Sequence, residues 1–196
     1  GSSSINGMIY IRGQKEDYDS WAEAGNIGWS YENVLPYFRR AENNDTLADE
    51  YHGIEGPLRV SNQRSPHIIC KDYIRAAQQA GHKLNPDFNG DDQLGTGLYQ
   101  VTQHAGRRAS AAICYLHPCA KRPNLTVITH AQSKKIILQD RRAVGVEYIK
   151  HGKVEAVRCE REVLVTSGSI NTAKLLLLSG IGPTDELKAH GIDMQY

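Results

Sequence analysis

Residues 1–13 read Gly-Ser-Ser-Ser-Ile-Asn-Gly-Met-Ile-Tyr-Ile-Arg-Gly, a stretch in which small and polar residues crowd together. In such a stretch little side-chain bulk separates the backbone from a neighbouring molecule, and glycine reaches positive φ at low cost. The side chains of Ser2, Ser3, Ser4 and Asn6 add hydrogen-bonding groups. This stretch is therefore predicted to lie against a polar, phosphate-bearing cofactor, and its first nine residues are called the leader below. A flexible chain terminus is the alternative interpretation.

The composition indicates a folded protein with no charge signature. The chain has 196 residues, 40% of them hydrophobic, which is enough for a core in one or two domains. A net charge of +1 gives no electrostatic footprint for nucleic acid. No apolar run reaches the ~20 residues of a membrane span, and no secretory segment opens the chain. The four cysteines lack metal-ligand spacing, so we expect reduced, mostly buried thiols and no metal: Cys70, Cys114, Cys119 and Cys159.

A second informative stretch lies near the other end. Residues 163–166 predict a strand that runs straight into residues 167–182, where a small-residue turn and then an apolar, leucine-rich helix are predicted. A strand, turn and helix in this order present helix N–H groups to a nucleotide. Any buried strand–helix unit could share the pattern, so the interpretation stays open at this point.

The remaining elements predict a mixed α/β (α+β) fold. Helical spacing after Ser30 predicts a helix that ends or kinks at Pro36, and Ser65-Pro66 predicts the start of another. Residues 43–54 are polar and predict a loop, in which His52 is a turn hydrogen-bonder. We expect Arg107 and Arg108 to cap carbonyls or form an ion pair, with phosphate binding as the alternative. Five short strands are predicted: residues 125–129, 135–138, 143–149 (joined at His151-Gly152-Lys153 to the next), 154–157 and 163–166.

Both informative stretches resemble a known family. Residues 1–13 together with Asp19 are similar to the first signature of the glucose–methanol–choline (GMC) oxidoreductases, with Gly1 at the position of its second glycine. Residues 167–182 resemble the second signature, from which Ala173 departs because Pro or Ser is usual there. Residues 29–42 are very similar to the corresponding family stretch, notably in choline-dehydrogenase-like and medium-chain alcohol dehydrogenase members. His52-Gly53-Ile54-Glu55-Gly56-Pro57-Leu58 also matches a pattern of the family. The resemblance covers essentially the whole chain.

The resemblance implies a cofactor, FAD, and the residues that would contact it. At the flavin and its phosphates it implies Gly1, Ser2, Ser3, Asn6, Gly7 and Met8. At the adenine it implies Ser133, and near the adenosine Thr166, Ser167 and Gly168. It implies no metal ligand and no catalytic residue here, since none of the eight histidines matches the family's base. The family's glycine-rich pyrophosphate loop is expected before Gly1 and its catalytic histidine after Tyr196.

The resemblance also implies a domain organisation. Residues 1–56 are expected to form part of the FAD-binding region with a helical lid. Residues 57–123 are expected to form a substrate-domain segment, as part of a domain with an antiparallel sheet. Residues 124–196 are expected to form another part of the Rossmann-like FAD-binding region, with a β meander and the strand–helix unit.

The function implied is oxidation of a primary alcohol, choline or another, by hydride transfer to the flavin. The chain alone is expected to be an inactive fragment of such an enzyme. The alternative is a non-catalytic module that binds a nucleotide or a partner chain. We expect a small-molecule alcohol and no nucleic acid as partner, with the oligomeric state open. A cytoplasmic location is expected, and peripheral association of the parent protein with the inner membrane is compatible with the family.

Overall fold

A computed structural model describes residues 1–196, which fall into two units, Gly1–Leu125 and Thr126–Tyr196. Each unit combines helices with small sheets, so the predicted mixed α/β class is confirmed. The predicted division at residues 56, 123 and 124 concerns the roles of the segments and stays a prediction.

In the first unit two helices follow the leader. Helix α1 spans Lys15–Glu23 and α2 spans Tyr31–Ala41. Gln14 is the N-cap of α1, and its backbone N–H donates a hydrogen bond to Asp17 Oδ2 at 2.9 Å. This bond gives a partner to a backbone donor at the start of the helix. Aromatic rings pair the two helices, with the Tyr18 and Phe38 centroids 5.6 Å apart. The second helix continues through Pro36, so the predicted end or kink at this residue does not interrupt it.

Short strands complete the middle of the first unit. Strand β1, Glu42–Asn44, pairs in parallel with β2, Leu58–Val60. The prediction of a loop from residue 43 is therefore wrong at its start, because buried partners satisfy polar side chains that local reasoning assigned to solvent. Strands β3, Gln103–His104, and β4, Arg107–Arg108, form a hairpin whose turn residues Ala105 and Gly106 both have positive φ.

The third helix begins later than predicted. Helix α3 spans Ile68–Gln79, and the His67 ring accepts the Ile69 N–H at 3.2 Å, so His67 is the cap rather than Ser65. The helix is only partly covered by the rest of the unit, since Tyr73 is 73% exposed. A π-helical turn, Ala112–Leu116, then leads into the short helix α4, His117–Cys119.

The second unit is an antiparallel sheet with two helices. Strands β5 (Ala131–Gln139), β6 (Arg142–Lys150) and β7 (Lys153–Arg158) are adjacent in that order. As predicted, the β6–β7 hairpin turns at His151 and Gly152, both at positive φ. Helix α5 spans Ser169–Leu178, and α6 spans Thr184–Ala189 with Pro183 at its N-cap.

A serine joins α5 to the sheet. Ser179 Oγ accepts the Ile136 N–H at 2.8 Å and donates to the Leu175 carbonyl at 2.6 Å. Ile136 and Leu175 are buried, so the hydrogen bonds lie beside the apolar contacts of this unit.

Two of the five predicted strands are absent. Residues 125–129 and 163–166 are not β-strands, because no neighbouring strand accepts or donates the backbone hydrogen bonds that a ladder requires. His130, which follows the first of these segments, is exposed with φ 55° just before β5.

Close backbone approach requires glycine at residue 53. A Cβ at Gly53 would collide with the Arg39 carbonyl oxygen. We expect Gly53→Ala to destabilise the protein by ~2–3 kcal/mol through overpacking, measured by chemical denaturation. Gly25→Ala is the control: at φ 98° a Cβ there meets nothing, so only the ~1 kcal/mol cost of positive φ is expected. Equal losses in the two variants would contradict this steric explanation.

Candidate functional site

A buried arginine holds the chain directly after the leader. Arg12 Nη2 donates to Glu42 Oε2 at 2.6 Å, and its Nη1 donates to the Tyr51 carbonyl at 2.8 Å. The guanidinium also lies over the Phe38 ring, 5.2 Å from the centroid. The Arg12 N–H donates to Asn89 Oδ1 at 2.8 Å. Both the backbone and the side chain of Arg12 are therefore fixed.

A histidine between two carboxylates extends this arrangement. His52 Nδ1 lies 3.0 Å from Glu42 Oε1, and its Nε2 lies 3.0 Å from Asp87 Oδ2. The side chains of Glu42 and His52 are completely buried. Together with Arg12, these three residues form what we call the ionic cluster. It contains no buried side-chain nitrogen or oxygen without a hydrogen-bond partner.

The partners of His52 decide its charge. Burial favours the neutral ring, but hydrogen bonds to Asp87 and Glu42, with their negative charges, raise the pKa of His52 to about 9. Burial would raise the pKa of Glu42, yet hydrogen bonds from His52 and Asn44 and the charge of Arg12 lower it below its usual value. For Asp87 burial is likewise outweighed, and hydrogen bonds from His52 and the Asn89 N–H lower its pKa. At neutral pH the cluster is two cations facing two anions.

Sequence reasoning missed this cluster. His52 does act as the predicted turn residue, since its N–H donates to Asp49 Oδ1 at 3.0 Å, but its ring is buried in the cluster. Glu42 and Asp87 stand 10 and 35 residues from His52. No local pattern joins the three. The one available signal was the number of polar residues around Asn44, which predicted a loop instead.

The leader and Tyr10, which follows it, are held by the segment from Gln100 to Ala111. The Tyr10 N–H donates to the Gln100 carbonyl at 2.9 Å, and the Thr102 N–H donates to the Met8 carbonyl at 2.8 Å. The Ala111 N–H donates to Ser3 Oγ at 3.1 Å. These bonds define a conformation for the leader, in contrast to the flexible terminus that was the alternative interpretation.

An arginine of β4 adds a further anchor. Arg108 Nη1 donates to the Asn6 carbonyl at 2.8 Å, to Asn6 Oδ1 at 2.7 Å and to the Ser3 carbonyl at 3.2 Å. The predicted carbonyl cap is therefore confirmed for Arg108.

The leader leaves several donors free at the surface. The backbone N–H groups of Ser2, Ser3 and Gly7 donate to no acceptor in the chain. Ser2 and Gly7 are exposed, and a Cβ at Gly1 or Gly7 would meet nothing within 4 Å. The arrangement can therefore donate hydrogen bonds to an acceptor-rich molecule placed against it. Met8, the remaining predicted leader residue, is half-buried with φ 64°.

The second unit contains a cavity of about 390 Å³. Two predicted residues, Ser133 and Ser167, line it together with Asn171 and Lys174. This volume is within the range of small-molecule sites in proteins. The other two predicted residues flank Ser167 in the chain: Thr166 is exposed, and Gly168 is the N-cap of α5 with φ 84°.

His, Cys, Asp and Glu side chains form no group of three or more that could hold a metal ion. All four cysteines are free, and Cys114 alone among them is buried, so the expectation of mostly buried thiols is wrong. None of the helices combines the length and apolar character needed to cross a bilayer.

The mixed α/β fold, the free N–H donors of the leader and the cavity lined by Ser133 and Ser167 are features of a candidate cofactor-binding protein. The family model described as GMC oxidoreductase matches residues 1–192. The chain belongs to the GMC oxidoreductase family, as its two signatures predicted.

Curated relatives and solved structures agree with this membership. Oxygen-dependent choline dehydrogenase of Brucella anthropi is 44% identical over 99% of this chain and 35% of its own length. Human mitochondrial choline dehydrogenase is 44% identical over 98% of this chain and 32% of its own length. Pyridoxine 4-oxidase from Mesorbium loti superposes with a TM-score of 0.92 at 28% identity, over 100% of this chain and 39% of that one. An FAD-dependent oxidoreductase from Chaetomium thermophilum gives 0.93 at 29% identity, over 99% and 36%. The chain spans about a third of the length of these curated relatives.

The ionic cluster predicts a pH dependence of stability. Because the folded-state pKa of His52, about 9, lies above its ordinary 6.5, the stabilisation is complete below pH 6.5 and is lost as the pH rises through 9. We expect the free energy of unfolding to fall by on the order of 2 kcal/mol between pH 6.5 and 9.5, measured by urea denaturation. The lowered pKa values of Glu42 and Asp87 add a loss on the acidic side, below about pH 4.5.

His52→Gln should remove the alkaline loss, since the amide does not titrate. His104→Gln is the matched control, because His104 is exposed and lies outside the cluster. If the free energy of unfolding of His52→Gln still fell between pH 6.5 and 9.5, another group would be the cause.

Proposed function

We propose that residues 1–196 form cofactor-binding and substrate-domain parts of an FAD-dependent enzyme that oxidises a primary alcohol of the choline type. The observation that carries the proposal is the leader, whose free N–H donors lie on the surface in a conformation held by Gln100, Thr102, Arg108 and Ala111. Family membership and the names of the choline dehydrogenase relatives support the reaction and the substrate class.

The chemistry of the leader fits the cofactor. FAD offers phosphate oxygens, ribityl hydroxyls and ring oxygens, which are acceptors that match the N–H groups of Ser2, Ser3 and Gly7. The absence of side chains at Gly1 and Gly7 leaves room for close approach. When bound, FAD supplies the acceptor for the hydride that leaves the alcohol carbon. The leader's role is to bind and orient the cofactor.

The adenosine half is proposed to contact the second unit. Ser133 and Ser167 line the same cavity, and their hydroxyls with the amide of Asn171 can recognise a base or a ribose. Thr166 and Gly168 are the chain neighbours of Ser167, which lines this cavity. Position 168 favours glycine because its φ is 84°.

No residue of this chain is assigned the role of base. The one buried histidine, His52, is already held between two carboxylates and lies away from solvent. The base that removes the hydroxyl proton is therefore sought outside residues 1–196. We propose that these residues by themselves do not oxidise alcohols.

The proposal extends to location. We place the enzyme in the cytoplasm, with peripheral contact at the inner membrane as the alternative. The human relative is named as mitochondrial, so location differs from the cytoplasm in at least one family member. Fractionation of cells that express the gene, with and without a high-salt wash of the membranes, distinguishes the two.

The test of function uses the complete gene product that contains residues 1–196. Purified protein is expected to carry FAD, visible by its absorbance, and choline added without oxygen is expected to bleach the oxidised flavin band. Bleaching by another primary alcohol but not by choline would keep the reaction class and change the substrate. Tight FAD or adenine nucleotide binding without bleaching by any alcohol would favour the non-catalytic module.

The leader is tested by filling its open space. Gly7→Val is expected to weaken FAD binding at least tenfold, because the side chain would occupy the face proposed for the flavin, while stability changes little since a Cβ there meets nothing. Flavin fluorescence titration of the apoprotein measures the affinity. Ser4→Val is the matched control, since Ser4 is exposed in the same leader but is not among the proposed contacts. Unchanged affinity in Gly7→Val would remove this residue from the proposed surface.

A further inference from the structure

Two adjacent arginines of β4 differ sharply in what they touch. Arg108 is half-buried, and its Nη1 reaches Asn6 O, Asn6 Oδ1 and Ser3 O within 3.2 Å. Arg107 is exposed and makes no hydrogen bond to the leader. One guanidinium nitrogen carries two hydrogens but meets three oxygens, so the contact depends on positive charge as well as on hydrogen-bond geometry.

We propose that Arg108 is a positioning residue for the cofactor: it fixes the Asn6–Gly7 peptide so that the Gly7 N–H faces a bound flavin. This inference rests on the proposed function. It assigns a role that the family signatures in the leader and around α5 do not contain, since Arg108 lies outside both.

The geometry of the peptide bond carries the argument. In a trans peptide the carbonyl of one residue and the N–H of the next lie in one plane and point in opposite directions. Arg108 binds the Asn6 carbonyl at 2.8 Å, so the Gly7 N–H must point away from Arg108. That N–H has no acceptor within the chain.

Bonds on either side keep this peptide from rotating. Asn6 Oδ1 accepts the Met8 N–H at 3.1 Å as well as the Arg108 bond. The Met8 carbonyl accepts from both the N–H and the hydroxyl of Thr102, at 2.8 and 3.2 Å. Without Arg108 the Asn6 carbonyl would lose its only strong partner, and Gly7, free of a side chain, would allow the peptide to turn. A donor that must be oriented at the moment of binding costs affinity.

The experiment compares four forms of the complete gene product: wild type, Arg108→Met, Arg108→Lys and Arg107→Met. Flavin fluorescence titration gives the FAD dissociation constant, visible circular dichroism gives the environment of the bound flavin, and thermal unfolding of the apoprotein gives stability. We expect Arg108→Met to weaken FAD binding roughly 10- to 100-fold and to change the circular dichroism, from the loss of charge-assisted hydrogen bonds. Arg108→Lys keeps the charge and should recover part of the affinity. Arg107→Met removes the same charge from the same hairpin and should match wild type.

Each outcome decides the proposal. Equal FAD affinity and circular dichroism in Arg108→Met and Arg107→Met would overturn it. Should Arg108→Met fail to fold, Arg108→Lys decides, and wild-type affinity with a wild-type spectrum in that variant would overturn it. A purely structural role would lower the unfolding temperature of the apoprotein and leave the spectrum of bound flavin unchanged, which also overturns it. Failure of the wild type to bind FAD is a different result, because it removes the proposed function itself.

Discussion

The first unit depends on charges that are buried together. Glu42 and His52 have no exposed side-chain surface, and an isolated charge in such a place would cost several kcal/mol. Arg12 and Asp87 complete the cluster, and the bonds join segments that are 30 and 35 residues apart in the chain. Because breaking such a cluster by removing one partner leaves a buried charge uncompensated, these segments must fold as one. The polar contacts are the more important constraint because the buried apolar residues of this unit are few: Val60, Phe88, Val101, Ala109 and Cys114.

The same cluster anchors the chain directly after the leader. Arg12 is held through its side chain by Glu42 and through its N–H by Asn89, while the Asn89 amide donates to the Tyr10 carbonyl at 3.1 Å. The preceding residues are then bound by the hairpin segment that includes Thr102 and Arg108. The carbonyls of Ser3, Asn6 and Met8 accept hydrogen bonds from this segment, whereas the N–H groups of Ser2, Ser3 and Gly7 remain free. A surface of this kind suits a phosphate-bearing ligand because the donors need no rearrangement on binding.

Features with a local cause could be predicted from the sequence. The hairpin at His151-Gly152 formed where expected because positive φ is a property of the turn itself. Helix α2 followed from apolar spacing, although Pro36 did not end it. Predictions failed where a partner decided the outcome. Residues 163–166 have the composition of a strand but no neighbour to pair with, and Glu42–Asn44 has the composition of a loop but pairs with β2.

The sequence by itself determined the family, because the signatures are short, ordered and carried by the identity of small residues at Gly1, Ser2 and Gly168. It also determined the fold class and the local turns. Only the tertiary structure decided that Arg108, and not Arg107, holds the leader, and that His52 carries a proton between Glu42 and Asp87. The physical reason is that such roles arise from contacts between residues separated by many positions, about 100 in the case of Asn6 and Arg108. Side-chain identity limits what a residue can do, and its neighbours in space select which of those roles it performs.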